Sequence, residues 1–145
     1  MVELLIAVAI MGIIALLGYP YVATYLQSAQ LRAAAEELVT IVNGARQIAI
    51  ARNTTVCVTL SDNAVTYTTG VSSGCAGGTL FTGAGTAADG TMRLQNSMQV
   101  TASTASVTFT SLGAAVPAGT YTVHNPNTGS NLSVVVSAAG RVSIQ

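Results

Sequence analysis

Catalysis needs nucleophiles, bases or metal ligands held close together, and this chain offers few of them. Its histidine, His124, its two cysteines, Cys57 and Cys75, and five acids, Glu3, Glu36, Glu37, Asp62 and Asp89, are the whole stock of strong ligands and general bases. The acids are scattered, no nucleophile stands beside a matched base, and His124 has no acidic partner near it in sequence. Zinc usually takes four protein ligands, more than one imidazole and two thiolates supply. The glycine-rich stretch from Gly70 to Gly90 lacks the GxxxxGK pattern whose backbone cradles phosphates. No catalytic, metal or cofactor-binding residue is therefore expected, and the chain does not read as an enzyme. His124 is expected on a half-buried strand face.

The remaining chemistry is modest. Arg32, Arg46, Arg52, Arg93 and Arg141 balance the five acids, lysine is absent, and the net charge is zero. That balance argues against electrostatic capture of nucleic acid, which depends on many phosphate contacts. Asn53-Thr54-Thr55 and Asn131-Leu132-Ser133 match the glycosylation sequon, a pattern short enough to recur by chance. Cys57 and Cys75 have 17 residues between them. In an exported protein such a pair should be oxidised, closing a loop for about 3 kcal/mol, and the alternative is two free buried thiols.

The elements that must position these residues fall into two halves. With 145 residues, half of them apolar, the chain suffices for one domain and one long element. From Leu4 to Ala23 it runs 20 residues without a charge, a reach of ~30 Å as a helix, which matches a bilayer's hydrocarbon core. No basic stretch precedes the run and no small-residue cleavage site follows it, so it reads as a retained membrane-spanning or helix-bundle segment. Glu3 stands at its end, either as a solvated headgroup-level residue or as a functional carboxylate, since an acid near the membrane is costly unless paired.

Beyond it, Ala34, Leu38, Ile41, Val42, Ala45, Ile48 and Ala49 recur at spacings of three and four, the period of an amphipathic helix with one packed face. Gly18 and Pro20 are expected to interrupt this helix, and Asn53 to end it just after Arg52. After Asn53 the period changes to two, and strands are expected at 54–60, 64–69, 91–100, 106–110, 119–125, 132–137 and 141–145. Turns are expected at Asp62-Asn63, at Asn125-Pro126-Asn127 with Gly129, and at Ala139-Gly140. The fold class is thus α+β: a long N-terminal helix, broken near Gly18-Pro20, packed on a C-terminal antiparallel sheet. Residues 1–53 form the stem, apolar over 1–23 and amphipathic over 24–53, and residues 54–145 form the β domain.

Val2-Glu3-Leu4, the apolar run, Gly12, and Pro20 placed 17 residues after Glu3 together resemble the stem of type IV pilins and type II secretion pseudopilins. The resemblance implies a leader removed by a prepilin peptidase and a methylated N-terminal residue two positions upstream of Met1. It implies that Glu3 pairs with the terminal amine of a neighbouring subunit in a filament core. It also implies that the stretch from Gly12 through Gly18 to Pro20 loses helical hydrogen bonds on assembly. The partners so implied are identical or homologous pilin subunits, the inner membrane before assembly, and the pilus assembly machinery. The location is then an extracellular filament or a periplasmic pseudopilus.

Gly44-Ala45-Arg46-Gln47-Ile48-Ala49-Ile50-Ala51-Arg52-Asn53 leading into Val56-Cys57-Val58 is similar to the helix end of GspH/FimT-type pilins. Val107-Thr108-Phe109 with Gly113, and Val134-Val135-Val136 through Gly140-Arg141-Val142, are similar to that group's later strands. Arg46 and Arg52 are expected to be solvated residues at the helix end. DNA binding in this group is associated with basic residues near the C-terminus, where this chain has only Arg141, so nucleic acid is not expected as a partner. The function implied is a structural pilin subunit that polymerises through its stem. The alternatives are an H-type secretion pseudopilin and a minor DNA-uptake pilin.

Overall fold

The computed structural model describes the chain except for Met1 and residues 62–63, 73–74, 95–97 and 105, and except for the side chains of residues 15–20. The first element is one helix, α1, Val2–Ala51. The chain divides into two units inside it, the first ending at Gln30 and the second running from Leu31 to Gln145. The division therefore precedes the change of composition at Asn53, because residues 31–51 already contribute core side chains.

From Val2 to Ile14 the helix is apolar on all sides but for Glu3. Val2, Leu4, Leu5, Ile6, Val8, Ile10, Met11, Ile13 and Ile14 are all exposed. The expected break at Gly18-Pro20 does not appear in the secondary structure, where α1 continues through both positions. Proline removes one backbone donor, and the hydrogen bonds of the turns on either side can carry a helix past that gap. The side chains there lie outside the described residues. Among the described residues no helix is long and apolar enough to cross a membrane. The 20-residue run counted in the sequence includes residues 15–20.

In the second unit Leu31, Ala34, Ala35, Leu38, Val42, Ala45 and Ala49 are buried. Four of these seven are alanines, and the larger Ile41 and Ile48 stand only half-buried beside them. Asn53 takes φ 47°, the left-handed conformation of a helix-ending residue. Thr54 N–H then donates to Ala49 O at 3.0 Å and Asn53 N–H to Ile50 O at 3.2 Å, the paired bonds that satisfy the last carbonyls.

The strands are β1 Val56–Ser61, β2 Ala64–Thr69, β3 Thr79–Leu80, β4 Thr91–Arg93, β5 Gln99–Ala102, β6 Ser106–Phe109, β7 Ala115–Val116, β8 Gly119–His124, β9 Asn131–Val136 and β10 Val142–Ile144. They form two antiparallel sheets where one was expected: β3-β2-β1-β6-β7 with β4 also on β2, and β10-β9-β8-β5. The single strand expected over 91–100 is two, β4 in the first sheet and β5 in the second. Alternating residues such as β8's Gly119, Tyr121 and Val123 turn inward. Val58, Val65 and Phe109 from one sheet meet Tyr121, Val123, Val134 and Val136 from the other in one apolar cluster with the helix. Cys57 on β1 is bonded to Cys75, with the Cα atoms 5.3 Å apart, and no cysteine is free. This bridge ties the segment between β2 and β3 to the central strand.

Candidate functional site

Of the sequence-selected stem residues, Glu3 and Gly12 have described side-chain surroundings, and both are exposed. Glu3 is exposed in the first turn of α1, where a carboxylate complements the unsatisfied N–H groups of the helix end. Gly12 lies in mid-helix, and a Cβ added there would meet nothing within 4 Å. Glycine costs about 1 kcal/mol in a helix relative to alanine, and no neighbour within the chain requires it. Gly18 and Pro20 belong to the residues whose side chains are not described.

In the second unit three sequence-selected positions converge. Arg46, on the flank of α1, donates from Nε to Gly113 O at 3.0 Å. Gly113 sits at φ 82° in the turn between β6 and β7, which Gly113 N–H closes on Thr110 O at 2.8 Å. Gly140, at φ 76° in the turn between β9 and β10, lies so close that a Cβ there would strike Gly113 O and come within 3.1 Å of Arg46 Nε. Arg46 is therefore not a solvated end residue: it joins the helix to two turns. Arg52 is exposed at the helix end, as expected, and its guanidinium also lies over the Phe81 ring, 4.8 Å from the centroid. Arg141, the next residue after the junction glycine, is exposed.

The other flank of the helix borders a groove of about 520 Å³, walled by Ile41, Ile48, Tyr67, Phe81 and Met92 with Glu37 and Arg93 among its polar lining. Tyr67 anchors it by donating its hydroxyl to Ile41 O. Burial pushes the Tyr67 hydroxyl pKa well above the ordinary tyrosine value. Gly44 leaves room for that hydroxyl, since a Cβ at this position would lie 3.3 Å from it.

His124 and Asn131 are paired across β8 and β9, with Nδ1 and Oδ1 2.6 Å apart. His124 is half-buried on its strand, as its alternation indicates. Asn53 and Asn131, the two sequon asparagines, are both exposed. Among the described residues no three His, Cys, Asp or Glu side chains come close enough to hold a metal ion. Asn125 was legible only as a turn residue, yet it is fully buried, accepting Asn127 N–H at Oδ1 at 2.9 Å. Its cue is the Asn-Pro-Asn order, which places a side-chain acceptor two residues before the donor. The Tyr121 hydroxyl is buried too, and desolvation pushes its pKa from 10.0 to about 12.

Residues 34–140 match the family described as Type II transport protein GspH. Two crystal structures of the Pseudomonas aeruginosa type IV minor pilin FimU share the fold. The first has a TM-score of 0.61 at 19% identity, covering 83% of this chain and 92% of that one. The second has a TM-score of 0.58 at 22% identity, covering 79% and 91%. The minor pseudopilin EpsH from the Type 2 Secretion System of Vibrio cholerae aligns with a TM-score of 0.63 at 10% identity, over 80% of this chain and 96% of that one. At these identities the likeness is one of fold. No curated protein matches the chain in sequence.

Proposed function

The chain belongs to the GspH family, within the type IV pilin and pseudopilin superfamily, and from that premise we propose that it is a structural subunit polymerising through α1 into a type IV pilus-like filament. The family is one of structural subunits rather than enzymes. The observation that carries the proposal is the apolar surface of the first unit. From Val2 to Ile14 every large apolar side chain is at least half exposed, and Gly12 is kept small with nothing beside it. A helix apolar on all sides needs lipid or other helices around it, and a glycine lets another helix approach closely. The inner membrane before assembly and a bundle of like helices afterwards supply those two surroundings in turn.

In such a bundle Glu3 is the one charge in the apolar half. Pairing with the N-terminal amine of a neighbouring subunit would offset its desolvation and set the axial register of each entering subunit. Gly18 and Pro20 weaken the helix at a place where it can extend in the filament. Glu3→Ala is expected to leave the chain in the membrane fraction but to reduce its entry into filaments. Normal filament yield from that variant would overturn the pairing. The family description and the EpsH likeness favour a second reading, a subunit of a secretion pseudopilus. Surface filaments that contain the chain support the first reading, whereas its confinement to the periplasm supports the second.

A further inference from the structure

Two tyrosines stand where the apolar half of α1 gives way to polar residues. Tyr21 is 80% exposed and Tyr25 67%, one helical turn apart. With Thr24 and Ser28 they border one hollow on the helix surface, because residues at i, i+3, i+4 and i+7 share a face. Each of the four side chains carries a hydroxyl. Ser28 Oγ bonds back to the helix, donating to Tyr25 O at 2.8 Å, an arrangement that satisfies a hydroxyl where water is scarce. Gln27 and Gln30 follow on the polar side, and the first charge after Glu3 is Arg32.

A tyrosine in lipid leaves its hydroxyl without a partner, and one in water leaves its ring wet; at the boundary between them both parts are satisfied. The spacing along α1 puts the pair at such a boundary. The helix is continuous from Val2 to Ala51, so Tyr21 rises ~27 Å beyond Glu3 and Tyr25 ~33 Å, on either side of the ~30 Å of a bilayer's hydrocarbon core. We propose that Tyr21 and Tyr25 form an interfacial anchor: before assembly they hold both rings at the level of the phospholipid headgroups and so set how deep the helix sits. Glu3 then lies at the opposite headgroup level, where its carboxylate keeps its water, and its desolvation begins only when the helix leaves the bilayer. This inference rests on the membrane stage of the proposed function, and it fixes where on this chain the membrane ends.

The chain has no tryptophan, so single tryptophans report depth without background. The test reconstitutes the full chain in vesicles of phosphatidylethanolamine and phosphatidylglycerol whose acyl chains carry bromine either near the headgroup or near the methyl end. Tyr21→Trp and Tyr25→Trp are expected to be quenched about threefold more by the shallow bromines than by the deep ones. Ile13→Trp, ~15 Å along the helix from Glu3, should show the reverse preference. Tyr21→Leu together with Tyr25→Leu keeps apolar area but removes both hydroxyls, and should let the helix slide inward. The thiol introduced by Gln30→Cys, with the native cysteines bridged, should then react with a membrane-impermeant maleimide about threefold more slowly than when both tyrosines are present. Deep quenching at positions 21 and 25, or a Gln30→Cys rate unchanged by the leucines, overturns the anchor and makes the pair packing groups between helices. Deep quenching of Ile13→Trp in that case leaves the membrane stage standing. An unquenched Ile13→Trp refutes the membrane stage itself, and the anchor with it.

Discussion

Gly140→Ala tests the junction between helix and turns, and Gly129→Ala provides its control. Both glycines have left-handed backbones, φ 76° and φ 72°, so a side chain costs about 1–2 kcal/mol at either. Both substitutions also stiffen the unfolded chain similarly, an effect that cancels in the comparison. They differ in surroundings: nothing lies within 4 Å of a Cβ at Gly129, whereas one at Gly140 strikes Gly113 O. Relieving that clash must part the two turns and pull Gly113 O from Arg46 Nε, now 3.0 Å away. A hydrogen bond to a charged group contributes about 1.5–3 kcal/mol. Gly140→Ala should then cost roughly 2.5–5 kcal/mol in total and Gly129→Ala roughly 1–2 kcal/mol. At about 4 °C per kcal/mol for a unit of this size, the expected drops in Tm are about 10–20 °C and about 4–8 °C. The assay is thermal unfolding of the full chain in detergent, followed by the near-ultraviolet tyrosine signal, since Tyr67 and Tyr121 lie in the core. Equal shifts for the two variants would refute the close approach of the turns.

Reduction of the Cys57–Cys75 bridge, or Cys57→Ser with Cys75→Ser, should lower stability by about 3 kcal/mol and speed proteolysis of the 70–90 loop, as read by melting and limited digestion. Tyr121 makes stability depend on pH in the alkaline range: its pKa rises from 10.0 to about 12 on folding, so the folded state keeps a proton that the unfolded chain releases. Its contribution is fully present below pH 10 and is lost between pH 10 and pH 12, at up to about 1.4 kcal/mol per pH unit. Melts at pH 9 and pH 11.5 should show that fall, and Tyr121→Phe should reduce it, the remainder belonging to Tyr67, whose pKa burial also raises. Arg52→Ala and Phe81→Ala should show a coupling of about 0.5–1 kcal/mol in a double-mutant cycle, and strict additivity would remove the cation–ring contact from the account.

How far the fold was legible depended on the range of the interactions. Local signals carried through: Asn53 after Arg52 marks the helix end because asparagine tolerates the left-handed cap, and the lone pair of cysteines forms the bridge. The helix face was readable by period: Ala34, Leu38, Val42, Ala45 and Ala49 are core as expected, and only Ile41 and Ile48 are not. Four of the buried residues are alanines, while Ile41 and Ile48 stand half-buried on the flanks, a difference that periodicity does not contain. β3 and β7, two residues each, are too short to show alternation. The stretch 91–100 alternates through Met92, Leu94, Met98 and Val100, and the polar run Gln95-Asn96-Ser97, which interrupts that alternation, is the one local sign that it is not a single strand. The junction was the least legible feature. Arg46, Gly113 and Gly140 stood out singly, but Arg46 and its acceptor are 67 residues apart, and their meeting follows from the closing of both sheets against the helix.

The filament role rests most directly on where this chain is found. Quantitative peptide mass spectrometry of filaments sheared from the cell surface, with intact-mass analysis of the subunit, measures it. The account predicts that the chain is present in the filaments and that its amount falls with Glu3→Ala while the membrane pool remains. Absence of the chain from every filament preparation, with the membrane pool intact, would contradict it.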